Sequence, residues 1–165
     1  MDAVFQRVMD TRPSLSHFWN AIRSVPGGPN LFSRLIAQLS PHTSTLGAKV
    51  SCLEEGLVEV VVKTRRSQCD MNGDVHPAVL VNLAELTTGL AIRYVSDRRG
   101  DARLSRISLE VLDSARGELF ATCEDTAPRA VGRHAPTMRA TIRDSDGVVV
   151  AYATALWEMR IYAGG

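Results

Sequence analysis

The sequence predicts an α+β fold in which a mostly antiparallel sheet wraps one long buried helix. Three observations lead there. Pro77 opens a stretch, AVLVNLAELTTGLAIRY, that has no further proline up to Tyr94 and is apolar on two opposite sides. The segments flanking it alternate apolar and polar residues, the period of strands with one face covered. Turn-forming clusters, Glu54-Glu55-Gly56 and Asp144-Ser145-Asp146-Gly147 among them, join those segments as hairpins. Strands grouped on either side of one helix, without strict βαβ alternation, give an antiparallel rather than a parallel sheet.

Taken in order, residues 1–42 read as a helical extension. Ser14 or Ser16 caps a helix carrying Phe18, Trp19, Ile22 and Val25, and Pro26-Gly27-Gly28-Pro29 breaks it. Asn30 precedes a second helix with Leu31, Leu35, Ile36 and Leu39 on one side, stopped by Pro41. No polar cluster marks these helices for chemistry, so they are expected to cover the core or one end of a ligand channel. The core spans residues 46–162 of a single domain covering 1–165. Ala48, Val50 and Cys52 alternate with Lys49 and Ser51, and the β-branched run Leu57 to Thr64 returns as the second strand. The central helix is expected over about residues 77–95, with Pro77 at its first position, where a backbone N–H is dispensable. After a polar connection from Ser96 to Gly100, Ser105, Ile107, Leu109 and Val111 share one strand face. Asp113 to Gly117 reads as a turn, and Leu119, Ala121 and Cys123 alternate again. A two-proline loop from Asp125 to Pro136 precedes Met138, Ala140 and Ile142, and Val148 to Ile161 forms the last strand, about six strands in all.

On the helix, Val79, Leu80, Leu83, Leu86, Leu90 and Tyr94 form one stripe. Ala78, Val81, Asn82, Glu85, Thr88, Gly89 and Ile92 form the opposite one. A helix with two such faces is buried. Glu85 then stands mid-helix with no basic residue three or four positions away. An ionised carboxylate is costly to bury unpaired. Either that stripe faces water or Glu85 is a catalytic carboxylate.

Composition narrows the field. Hydrophobic content of 45% and charged content of 22% over 165 residues are those of an ordinary globular domain. A net charge of +1 offers no electrostatic case for nucleic acid. No charge-free apolar run is long enough to span a membrane, and MDAVFQRVMD lacks the apolar core of a signal peptide. A cytoplasmic location is expected. Cys52, Cys69 and Cys123 are odd in number and lack metal-type spacing, so free reduced thiols are expected, with no metal and no cofactor.

His76 stands nine residues before Glu85, and Glu85 lies in Leu83-Ala84-Glu85-Leu86. In this the chain resembles the hotdog-fold thioesterases of the phenylacetate-pathway and 4-hydroxybenzoyl-CoA type. In those proteins a histidine precedes a central-helix acid by the same interval. Gly132-Arg133 before a strand and DSDGVVVAYATALWEM near the end resemble that family's later hairpin, so the likeness runs from Leu46 to Met159. The resemblance implies hydrolysis of an acyl thioester of CoA or of acyl carrier protein. Glu85 would be the general base or nucleophile, His76 a positioning group, and Thr88 a ligand for the water. Arg133 and Arg129 would meet phosphate, with Arg98 and Arg99 as further basic residues. It also implies a homodimer or a dimer of dimers, with the site between subunits.

Two departures fall at the reacting centre. The family's glycine after the histidine is Pro77, which has no N–H to donate, and its amide six residues before the histidine is Asp70. Asn72 lies two residues away from that place. Loss of one oxyanion donor costs about 3 to 4 kcal/mol of barrier lowering. The N–H groups of Ala78 and Val79 are the substitute donors, at the positive end of the helix dipole. Two other readings follow. One is proton transfer by an Asp70–Glu85 carboxylate pair in a dehydratase, decarboxylase or cyclase acting on a carrier-bound chain. The other is a non-catalytic protein that binds an acyl ligand.

Overall fold

A computed structural model describes residues 14–39 and 41–163; positions 1–13 of the expected helical extension lie outside it. Three helices come first, α1 (Leu15–Ile22), α2 (Gly28–Leu39) and α3 (Pro41–Ser44). The hairpin β1 (Lys49–Glu54) and β2 (Leu57–Lys63) leads to the long helix α4 (Pro77–Ser96). Then come β3 (Gly100–Val111), β4 (Glu118–Cys123), β5 (Gly132–His134), β6 (Thr137–Arg143) and β7 (Val149–Ile161). All pairings are antiparallel, in the order β1-β2-β4-β6-β7-β3, with the short β5 also pairing β7. The sheet curls around α4, which packs on β1, β2, β3, β4, β6 and β7. This is the hotdog fold.

Alternation along the strands builds the core. Val58, Val60 and Val62, Leu119 and Ala121, and Met138, Ala140 and Ile142 all point inward and are almost wholly buried. Ala151, Ala153 and Ala155 line the same face of β7, and these small side chains leave room for the helix to lie close. The length and apolarity of α4 would suit a membrane span, but here it is the core helix of a wrapped sheet.

Ser14 caps α1 by accepting from the His17 N–H at 3.2 Å. Asp97, one residue past α4, accepts from the Leu15 N–H at 3.1 Å and from the Ser14 hydroxyl, so a carboxylate sits at the N-terminus of α1. Trp19 packs edge-on against Phe32 with ring centroids 5.0 Å apart, and this contact sets the phase of α2. Phe32 is therefore fully buried while Leu31, expected inside, is 56% exposed. The helix also starts at Gly28, earlier than Asn30 suggests, because Pro29 fits within a first turn.

Three further differences have physical causes. A bulge in β1 between Val50 and Cys52 shifts the register, so Leu53 points inward where simple alternation places Cys52. The expected loop from Asp125 to Pro136 contains β5, a seventh strand. Asp113 to Gly117 is not a hairpin turn, since β3 pairs with β7 at the sheet edge and β4 pairs with β2 and β6. The chain between β3 and β4 instead crosses the end of the sheet, and Ala115 in it is buried.

The two edges of the sheet differ. Ser33 of α2 accepts from the Val50 N–H at 2.9 Å and donates to the Pro29 carbonyl at 2.7 Å, fastening α2 along β1. Beyond β3 no further strand lies among the described residues.

Candidate active site

The loop that delivers α4 is fixed by its own backbone. The Asp70 carboxylate accepts from the Asn72 N–H at 2.8 Å and the Asp74 N–H at 3.1 Å, closing a turn with Gly73 at φ +84°. Asp74 reaches the other way, to the Arg116 guanidinium at 2.5 Å and the Ser114 hydroxyl at 3.3 Å. That carboxylate raises the pKa of Arg116. The Val75 N–H donates to the Ala115 carbonyl at 2.8 Å, and the His76 N–H to the Gln68 carbonyl at 2.9 Å. The crossing segment between β3 and β4 thus braces the residues just before the helix. The Gln68 side chain is structural as well: its amide nitrogen donates to the carbonyls of Thr45 and Leu46, each at 3.2 Å.

His76 is the N-cap of α4. Its Nδ1 accepts from the Ala78 N–H at 3.1 Å, and its carbonyl accepts from the Val79 N–H at 2.8 Å. With Pro77 at the first helical position, the start of the helix has no free donor among its first three residues. The two N–H groups expected to hold an oxyanion are therefore engaged inside the chain. The exposed His76 ring can give up the first of them by turning outward.

Farther along α4, Leu80, Leu83 and Ala84 are buried, while Val79, Val81, Asn82, Glu85 and Leu86 are half-buried. One side of this half of the helix is left open by the sheet, and Glu85 lies on it. Among the described residues its carboxylate has no hydrogen bond and no ion pair.

The other expected site residues are dispersed. Thr88 is fully buried, donating to the Ala84 carbonyl at 2.9 Å and accepting from the Trp157 indole at 3.2 Å. Its hydroxyl satisfies Trp157 rather than a water beside Glu85. Asp70 is exposed, with its carboxylate committed to the 70–74 turn, and Asn72 is exposed in the same turn, contributing its backbone to it. Arg129 grips Glu55 through two hydrogen bonds of 2.8 and 2.6 Å. This pair lowers the Glu55 pKa and raises that of Arg129. Arg133 on β5 is exposed and unpaired among the described residues, and sits opposite Arg160 of β7. Arg99 is exposed, and the Arg98 side chain lies outside the described residues.

Burial pushes the Cys123 thiol up to about 11 and raises Cys52 too, helped by Glu54 and Glu59, so neither is an activated nucleophile. Among the described residues no three His, Cys, Asp or Glu side chains gather as a metal site.

A family model described as a domain of unknown function, DUF4442, matches residues 28–159, a span that runs from the start of α2 into the last strand, β7. No curated protein matches the chain. Among solved structures, a probable thioesterase from Pseudomonas aeruginosa is 21% identical at a TM-score of 0.69, over 78% of this chain and 92% of that one. A thioesterase from Haemophilus influenzae is 18% identical at 0.65, over 78% and 90%. A putative esterase from Mycobacterium tuberculosis is 19% identical at 0.65, over 76% and 99%. Likeness at such identities establishes the shared fold.

Proposed function

The chain belongs to the DUF4442 family and builds its domain on the hotdog fold, and from that premise we propose that it hydrolyses an acyl thioester of CoA or acyl carrier protein. The observation that carries this reading is Glu85: an unpaired, half-buried carboxylate on the open side of the central helix, nine residues after the N-cap His76. The names of the structural neighbours, thioesterases and an esterase, support the same chemistry.

In this reading Glu85 takes a proton from water as the water oxygen bonds to the thioester carbon. The carbonyl oxygen becomes an oxyanion, displaces the His76 ring and accepts the Ala78 N–H, aided by the positive end of α4. The C–S bond then breaks, and the thiolate recovers the proton from Glu85, giving free acid and thiol. Attack by Glu85 itself, through an anhydride, uses the same residues. The exposed Arg133 is the better placed of the two loop arginines to meet a phosphate, because Arg129 would first have to release Glu55. Thiol release from a panel of acyl-CoA esters, compared between the wild type and Glu85→Gln, tests the reading. Turnover that survives the substitution would sink it.

One observation favours a second reading. With the Ala78 and Val79 N–H groups both engaged, the start of α4 suits an acyl ligand that is held and not cleaved. Tight binding of acyl-CoA without product would decide for it.

The expected partner is a second copy joined through β3. Self-pairing of this strand about a twofold axis at Ser108 sets exposed Arg106 against Glu110 of the second copy on the outer face. It sets half-buried Ile107 against Leu109 of the second copy on the inner face. Each pair occurs twice, which favours this register. Light scattering of a sample with Arg106→Glu should report a shift toward monomer, and restoring the opposite sign with Glu110→Arg should reverse it.

A further inference from the structure

A cleft of about 350 Å³ lies between α2 and β1, within the size range of small-molecule sites. Ile36 and Ala37 of α2, Val50 of β1 and Leu86 of α4 give it apolar walls. Exposed Arg34 and Lys49 also line it, and among the described residues no acid does. Neither cation has an ion pair or hydrogen bond to another described residue. The walls are fastened together, since Ser33 bonds both the Val50 N–H and the Pro29 carbonyl. Gly47 lines the cleft at φ +65°, a left-handed backbone conformation in which any other side chain would be strained. Leu86 follows Glu85 in sequence and is half-buried, so the cleft borders the open side of α4.

We propose that this cleft binds an alkyl chain ending in an anionic group, a carboxylate or a phosphate. The chain lies against Ile36, Ala37, Val50 and Leu86, and the anion meets Arg34 and Lys49. Apolar walls without an acid reward burial of methylene groups, and two unpaired cations reward a charged end through charge-assisted hydrogen bonds. The cleft thereby selects among chains of similar length by their far end, a discrimination that Glu85 cannot make. This binding goes beyond the hydrolase reading and stands without it.

Calorimetric titration of the full chain with octanoate, octyl phosphate and octanol tests it. At least one of the two anions should bind about tenfold or more tightly than the alcohol, and the stronger of them identifies the head group. Arg34→Gln combined with Lys49→Gln alters only exposed positions, and should bring the anions down to the affinity of octanol. Ala37→Phe should fill the cleft and abolish all binding, with circular dichroism checking that the chain is folded. Glu85→Gln should leave the binding unchanged, so a failed hydrolysis assay and a failed cleft give different results. Octanol binding as tightly as the anions, an unchanged anion affinity in the double variant, or no binding of any of the three would overturn the proposal.

Discussion

Between Ala78 and Leu86, α4 leaves Val79, Val81, Asn82, Glu85 and Leu86 only half covered, whereas from Thr87 to Ile92 every residue is buried. The second half is held by the whole sheet and by a side-chain bond from Trp157 to Thr88. The first half is held on one side by the core, through Leu80 and Leu83, and at its tip by the His76 cap. One helix therefore joins an open, chemically equipped segment to a closed, structural one. Burial of the second half anchors the helix, and the first half carries a lone carboxylate on its open side.

Substitutions should separate the two halves. Glu85→Gln is expected to lower kcat/KM about 100-fold or more with the unfolding midpoint unchanged. Parallel loss of activity and stability would mean that Glu85 is structural. Leu83→Ala, at a position with no exposure, should cost about 2 to 5 kcal/mol in urea unfolding. Thr88→Val, which strands the buried Trp157 indole N–H, should cost about 1 to 3 kcal/mol while leaving kcat within a few-fold. Thiol-release kinetics together with a change in Trp fluorescence would check it. A large fall in kcat alone would return Thr88 to the active site. His76→Ala removes a cap and should cost about 1 kcal/mol, with turnover retained because the Ala78 N–H is set free.

A separate effect lies in pH. The Cys123 pKa lies at about 11, above its ordinary 9.0, so its contribution to stability is complete below pH 9.0 and is lost as pH rises towards 11. Urea midpoints should therefore fall across that window in the wild type, and fall less in Cys123→Ala.

Local chemistry made much of this fold legible. Pro77, the absence of later prolines and the two apolar stripes located α4 almost to its ends, and the Asp144 to Gly147 turn fixed the β6–β7 hairpin. What escaped was long-range. Asp113 to Gly117 has the composition of a turn whether the next strand lies alongside or across the sheet, and only the pairing of β3 with β7 decides. The β1 bulge carries no residue signal and reverses the roles of Cys52 and Leu53. At the candidate site, the spacing of His76 and Glu85 could be read from the chain. That the His76 ring occupies the Ala78 N–H could not, because it depends on a side-chain rotamer. The Asp74 clamp on Arg116 joins residues too far apart in sequence to suggest each other.

The Ser33 bond to the Val50 N–H also bears on growth of the sheet. A sheet with two bare edges can add strands from both sides and extend without limit, as fibres do. Here α2 lies along β1, so β3 is the long bare edge among the described residues, and the proposed pairing of two β3 strands would cover it. On that proposal, assembly through the two long edges would stop at two copies. In that setting Ser33, one hydroxyl on α2, would act as a chain terminator for polymerisation.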